Sequence, residues 1–439
     1  MKIFKGKAFF VKSFLLHIFL VAIIAFVSIN FWENPIYDMM TNLTHATMKG
    51  SDDIALVMID NKSIDSYRWP WARSLYGEVF DYLNKYTNTK VVVFDSIFTN
   101  LDKNNPPSSD NYFFDTVKNT DNFIGGYMAL SDKYENPELG SNYDEKFQRK
   151  FSIEIADKRT KNNSRYSNYN SLTMFPDKYF DAQKNVGSVN FTLNPVDGIL
   201  REATDLISYN DYYPSLALRA YMLSNKTNKL TLTNNYLIVD KTGLKIPIYT
   251  HNGDIRHNMK FCKFLPNSDY SHKTYSAIDL INSDRLMKSG KKPIISPSEF
   301  DNKIIFVGAN ALAVEDVLKT TIATKHPGVD IQATILDNFL NNQFIVKFNA
   351  FSNLVTIILI SIATFLIIRF FAFLPSLLTL IGFAILYFAF CIICFNNNIV
   401  PLVITPLAVQ LSTMIFGYSY RFILEGKNKE KIKNALKGE

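Results

Sequence analysis

Cysteine is scarce in this chain of 439 residues, with 3 in all. Cys262 stands alone between two distant apolar ends, so the long middle region has no internal disulfide. Cys391 and Cys394 make a C-x-x-C, but inside the apolar run FAFCIICF, where thiols serve as packing groups. Histidine is also rare, at 6, and His17, His45, His251, His257, His272 and His326 form no ligand cluster by spacing. His251 and His257 share one polar stretch, which reads as a solvent-exposed loop. There is no G-x-x-x-x-G-K-[ST], no H-E-x-x-H and no G-x-S-x-G, so the sequence points to no metal, no cofactor and no catalytic residue of those classes. A net charge of +7 without a basic stripe and interleaved aromatics gives no reason to expect nucleic acid.

The most informative absence is charge. Residues 349–368 and 370–420 contain no Asp, Glu, Lys or Arg, and Arg369 alone separates them. Together with SFLLHIFLVAIIAFVSINFW at 13–32, they supply four membrane-spanning helices, 13–32, 350–368, 374–395 and 399–419. The first is long for a cleaved signal peptide and has no A-x-A site after it, so it reads as a retained anchor. Lys2, Lys5, Lys7 and Lys12 at one end, and Lys427, Lys429, Lys431, Lys433 and Lys437 at the other, place both termini in the cytoplasm. The expected division is a cytoplasmic N-terminus 1–12, an outer domain 33–348 and a cytoplasmic linker 420–439 around the four spans.

The outer domain reads as α/β with a largely parallel central sheet. DIALVMID at 53–60, KVVVFDSIF at 90–98 and KIIFVGAN at 303–310 are apolar runs of strands buried on both faces. Leu75, Val79, Tyr82, Leu83 and Tyr86 recur at helical spacing between the first two runs, which predicts a parallel crossover. PGVDIQATILDNFL at 327–340 predicts a helix with Asp330 as its N-cap. Segments near 203–210 and 230–249 alternate like strands of an antiparallel edge, and 131–170 is polar enough to hold insertions.

Asp60 and Asp95 each end a buried strand, where ligands settle in open α/β sheets. Trp69, Pro70, Trp71 and Arg73 follow the first of them, and Pro70 disfavours helix at Trp69. Two indoles lidding the sheet edge, with Arg73 turned to Asp60 or Asp95, can be a structural plug or a ligand pocket. The glycine of VGANALAVED, Gly308, can approach a phosphate or serve a tight turn.

These stretches carry a resemblance. IALVMIDNKSI, RWPWAR, VVVFDSIF, VGSVNFTLNPVDGILR (186–201), YPSLALRA, KIIFVGANALAVEDV and HPGVDIQATILDNFL resemble the CHASE2 family of bacterial membrane receptors. Their blocks add Asp197, Arg201 and Asp316 to the candidates for ligand binding or structure. The resemblance implies a multi-pass protein of the bacterial inner (cytoplasmic) membrane. It senses an unknown extracytoplasmic ligand and relays the signal to a cytoplasmic output such as a class III adenylate or guanylate cyclase; Ile432 and Leu436, four apart on one face of the tail, add the expectation of a homodimer. That output lies beyond residue 439 or on a partner, so the chain itself is expected not to be an enzyme. The other reading is a membrane-anchored extracytoplasmic enzyme using Asp60, Asp95 and Arg73.

Overall fold

The computed structural model describes residues 2–45, 49–132, 143–160, 169–263, 270–310 and 316–436. The chain forms two compact units, His45–Ile345, and Met1–Thr44 with Val346–Glu439.

The first unit is built on six strands: β1 (Ile54–Ile59), β2 (Val91–Phe94), β3 (Phe123–Tyr127), β4 (Val186–Ser188), β5 (Lys273–Ser276) and β6 (Ile304–Ala309). They lie in the order β5-β1-β6-β2-β3-β4, and every pairing is parallel. Continuous apolar runs form them because helices cover both faces. Ala55, Val57, Val92, Phe94, Ile305 and Val307 face one core with α1 (Arg73–Tyr86), α2 (Pro107–Lys118) and α4 (Ala277–Lys288). Leu56, Met58, Val91, Val93, Ile304 and Phe306 face the other with α3 (Leu216–Ser224) and α5 (Gly328–Leu340). The crossover from β1 through α1 skips a place, and β6 fills it.

Two expected boundaries shift. The second apolar run leaves the sheet after Phe94, and Phe98 turns back to pack in the first core. Asp330 is not an N-cap. Pro327 holds that position, and Asp330 lies in the first turn, fully buried and bound by two histidines. The antiparallel part is present in two four-stranded sheets: one, wholly antiparallel, holds Glu202–Tyr209 and Asp254–Asn258, and the other holds Lys229–Leu232 and Tyr236–Val239 with a parallel edge strand Glu154–Asp157. His257 belongs to the strand Asp254–Asn258 and is wholly buried, because its Nδ1 lies 2.8 Å from the equally buried Asp205 carboxylate. The exposed loop expected for it is therefore a paired core strand. Parts of the polar stretch at 131–170, namely 133–142 and 161–168, lie outside the described residues, as do 311–315 of the glycine-containing turn.

In the second unit, three helices are long and apolar enough to cross a membrane: Phe14–Phe31, Ala350–Phe370 and Phe373–Asn396. The segment expected as a fourth span starts differently. Ile399–Val400 is a short strand parallel to Val346–Lys347, and the helix begins at Ile404 and runs unbroken through Gly426 to Leu436. That helix carries Gln410 and Thr413 inward, buried beside Val409 and Gly417. Gln410 donates to the Leu380 carbonyl at 2.9 Å, and His17 stacks on Phe416 at 4.4 Å between ring centres. Polar groups that face neighbouring helices lower its apolar content without exposing them.

Gly308 sits in β6 under α5, and a Cβ added there would lie 2.7 Å from the Val329 Cβ. Gly308→Ala should therefore cost about 1–3 kcal/mol by overpacking. It should lower the denaturation midpoint at unchanged slope. A midpoint equal to that of the unsubstituted chain would mean that α5 moves off the sheet freely.

Candidate functional site

The carboxyl end of the sheet carries Asp60 after β1, Asn310 after β6 and Asp95 after β2. Their roles differ. Asp60 caps the helix Asn61–Ser66: its Oδ1 accepts from the Ser63 amide at 2.9 Å, the Ser63 hydroxyl at 2.7 Å and the Ser276 hydroxyl at 2.8 Å. It is a turn-former bridging β1 to β5. Asp95 is buried and its Oδ2 has no hydrogen-bond partner. Burial first, then the charge of Asp316, pushes its carboxyl well above the ordinary range. Asp316 is raised by burial too, but as a residue it is open to solvent, so the desolvation cost falls mainly on Asp95. Gly308 lies in β6 against Val329, a close-packing role.

The tryptophan segment joins only part of this crevice. Trp71 is buried at 1% exposure, edge-on to Tyr76 and Tyr67, and its indole N–H donates to the Tyr67 carbonyl at 3.3 Å. Trp69, joined to Pro70 by a cis peptide bond, is half-buried against the same core. Arg73 does not turn to Asp60 or Asp95. Its guanidinium lies 3.2 Å over the Phe98 ring, and its Nε is 3.9 Å from Asp110. The physical reason is the departure of residues 95–98 from β2, which brings an aromatic face to the start of α1. Asp197 and Arg201 form a separate two-pronged pair, at 3.0 and 2.7 Å, beside the bridge between Leu200 and Thr320. The candidates thus fall into a crevice pair (Asp95, Asp316), a cap (Asp60), an aromatic plug (Trp69, Trp71, Arg73) and a separate ion pair (Asp197, Arg201).

The densest polar cluster is one the sequence did not announce. Asp330 of α5 accepts from the Ser271 hydroxyl at 2.8 Å on both oxygens, lies 2.8 Å from His326 Nε2 and 3.4 Å from His272 Nδ1. The other face of the His272 ring, Nε2, is 3.8 Å from Asp337, two turns along the helix. Asp337 also accepts from the Ser51 amide at 2.7 Å and the Cys262 thiol at 3.3 Å. For His272, burial alone would lower the pKa; hydrogen bonds and charges from Asp330 and Asp337 outweigh it and raise the imidazole to about 9. Asp330 and Asp337 go the other way: their histidine bonds overcome burial and hold both below the ordinary range. The signal in the sequence was Asp330 and Asp337 seven apart on a helix with buried residues on every side, with His326 just before its start. Among the described residues no group of three or more acids, histidines or cysteines has a metal-holding arrangement. The cysteines are free.

In the second unit, the short strand pairs Val346 with Ile399 and Lys347 with Val400, through Val346 N to Asn398 O and Phe348 N to Val400 O, both 2.9 Å. Glu33 reaches the same place: its carboxylate accepts from the Val403 amide at 2.9 Å and the Thr405 amide at 2.6 Å. An acidic group on the first amides of a helix is favoured by the helix dipole. Residues on both sides of the first unit therefore bind the start of the helix Ile404–Leu436.

A doubly covered parallel sheet and apolar membrane-length helices define a membrane-associated α/β protein. The family model described as the CHASE2 domain matches residues 16–367. The chain belongs to the CHASE2 family, whose domain is a sensory module. No curated protein and no solved structure matches it.

Arg73→Ala should cost about 1–2 kcal/mol, since a stacked, partly open guanidinium with a long ion-pair distance is lost. Arg73→Lys should recover less than half, because an ammonium cannot stack as a plane. A loss of ~3–5 kcal/mol in denaturant unfolding, the size for one partner of a fully buried pair, would contradict this geometry. The His272 cluster predicts a pH window. A histidine raised from 6.5 to about 9 contributes stability that is complete below pH 6.5 and disappears as pH rises through 9. The lowered carboxylates contribute above their ordinary range and lose this as pH falls below about 4. Unfolding free energy of the intact chain should fall by roughly 3 kcal/mol more between pH 6.5 and 9 than that of His272→Asn. Parallel curves would remove His272 as an imidazolium.

Proposed function

We propose that the chain is the sensing and membrane part of a receptor, and that its outer unit passes a stimulus to a cytoplasmic output through the helix Ile404–Leu436. The observation that carries this is the junction at the start of that helix. The chain entering the α/β unit (Glu33) and the chain leaving it (Val346–Phe348) both hydrogen-bond to residues 398–405. A displacement of either tether reaches the last helix directly, without travelling through the helices Ala350–Phe370 and Phe373–Asn396. That helix continues past the apolar stretch into the basic segment Lys427–Lys433, which suits the cytoplasmic face of an anionic membrane. In this reading the last helix is the fourth span, both termini are cytoplasmic, and the membrane is the bacterial inner membrane. Ile432 and Leu436, exposed and four apart, begin a contact with a second copy. The output is a class III adenylate or guanylate cyclase, following the chain or on a partner, and the chain itself has no catalytic role. The enzyme reading needs Asp60, Asp95 and Arg73 together, whereas Asp60 is engaged by Ser63 and Ser276, and Arg73 by Phe98 and Asp110.

The test is a fusion of the intact chain to a cyclase reporter domain. Glu33→Gln keeps one acceptor and removes the charge, a loss of about 1–3 kcal/mol at the helix start. Basal nucleotide production should change several-fold, and amide exchange at Val403 and Thr405 should quicken. Unaltered production, with quickened exchange proving the cap was lost, would overturn the junction as the path.

A further inference from the structure

We propose that the cavity beside His272 is a binding site for a small oxyanion, a phosphate- or carboxylate-bearing solute, and that it is the ligand site of the sensor. The second half rests on the sensory reading above; the first half stands without it.

The cavity, of about 370 Å³, lies between Lys49–Asp52 on one side and Lys263 with Tyr270–Thr274 on the other. This is the small end of the range for ligand pockets, ~300–1,000 Å³. Among the described residues its lining holds three lysines, Lys49, Lys263 and Lys273, against one carboxylate, Asp52. Lys273 is already held by Glu299. Among the described residues, Lys49 and Lys263 have no ion-pair or hydrogen-bond partner, so two ammonium groups remain for a ligand. Ser51 adds a hydroxyl, whereas those of Ser271 and Thr274 are held by Asp330 and the His272 carbonyl.

The second observation is in the wall. The His272 side chain is fully buried, and its Nε2 faces the Asp337 carboxylate at 3.8 Å, too far for a hydrogen bond. The ring can reach this wall only because residue 50 is glycine: a Cβ there would lie 2.4 Å from the ring and 2.7 Å from the Ser271 carbonyl. Behind the ring stand Asp330 and Asp337, which keep the imidazole protonated at neutral pH. The ring charge is offset by Asp330 and Asp337, and the two ammonium groups of Lys49 and Lys263 make the cavity itself favour an anion over a cation. An anion bridging Lys49 and Lys263 draws together the segment that enters β1 and the segment that leads to β5. It lies against the Gly50 backbone that covers His272, and His272 pairs with Asp337 of α5, the last helix before Val346. The site is therefore placed to bias the element that ends the sensor unit.

The experiment uses the intact chain in neutral phosphatidylcholine nanodiscs, titrated calorimetrically with inorganic phosphate and, separately, succinate. Saturable binding is expected for at least one. Lys49→Gln with Lys263→Gln should weaken it about tenfold or more. Lys49→Arg with Lys263→Arg should keep it, at an unchanged unfolding midpoint. Should the glutamine pair unfold, the arginine pair decides: retained binding supports the site, and lost binding overturns it. In phosphatidylglycerol nanodiscs, binding of the solutes that falls in the unsubstituted chain but not in the glutamine pair would support the same site with a lipid headgroup as the oxyanion source. No saturable binding in neutral nanodiscs, or binding indifferent to both lysines, overturns the proposal. Because heat is read without any output domain, failure here leaves the Glu33 test of signal relay intact, and failure of that test leaves anion binding standing.

Discussion

Asp330 is a carboxylate with no solvent exposure, placed in the first turn of a buried helix. An isolated charge in such a position is prohibitive, so it has to be paired and hydrogen-bonded. That single constraint organises the edge of the sensor unit. To satisfy it, Ser271, His272 and His326 have to come to α5, and the segment before β5 is brought with them. Asp337 then gathers the Ser51 amide and the Cys262 thiol, which fixes the chain entering β1. Asn338 continues the line, exchanging two hydrogen bonds with the Lys260 backbone at 2.9 and 2.8 Å. One helix thereby registers three segments far apart in sequence.

This arrangement trades stability for specificity of position. Apolar residues at 330 and 337 would bury α5 at least as well and would leave its neighbours free to slide. The charged groups allow one registration and make it dependent on the protonation of His272. The same helix presents Val329 to Gly308 on its sheet face, so it is gripped from two sides by unlike forces, close packing and ion pairing. A helix held in this way moves as a body or not at all, which suits an element that leads into a membrane tether.

The parts of this that were legible in the sequence are those set by continuous patterns. Buried parallel strands read as IALVMI, VVVF and IIFVGA because both faces are apolar, and the membrane helices read as long stretches without charge. The partners of Arg73 were not legible. They depend on residues 95–98 leaving the sheet, and apolar Ile97 and Phe98 extend the strand pattern regardless of where the backbone goes. His257 was read as exposed because its neighbours are polar, yet those polar residues pair among themselves, as with Asp205. Local polarity identifies the surface only when polar groups lack partners, and partners come from distant chain. The start of the last helix was misplaced for a related reason: Ile399–Val400 is apolar enough for a membrane helix, and only its pairing with Val346–Lys347 makes it a strand.

Those two residues matter beyond their length. Between Leu340, which ends α5, and Val346, which begins the tether, the chain is pinned once more, by the bridge from Ile345 to Asn258 beside the buried His257. That bridge ties the end of the first unit to one of its own sheets. On the far side, the two hydrogen bonds of the short strand are too few to hold a sheet, and a lone strand pair in water is marginal. Glu33 compensates by fixing the next residues, Val403 and Thr405, from an independent element. The junction is thus held by a few bonds from two independent elements, Glu33 and Val346–Phe348, rather than by a sheet.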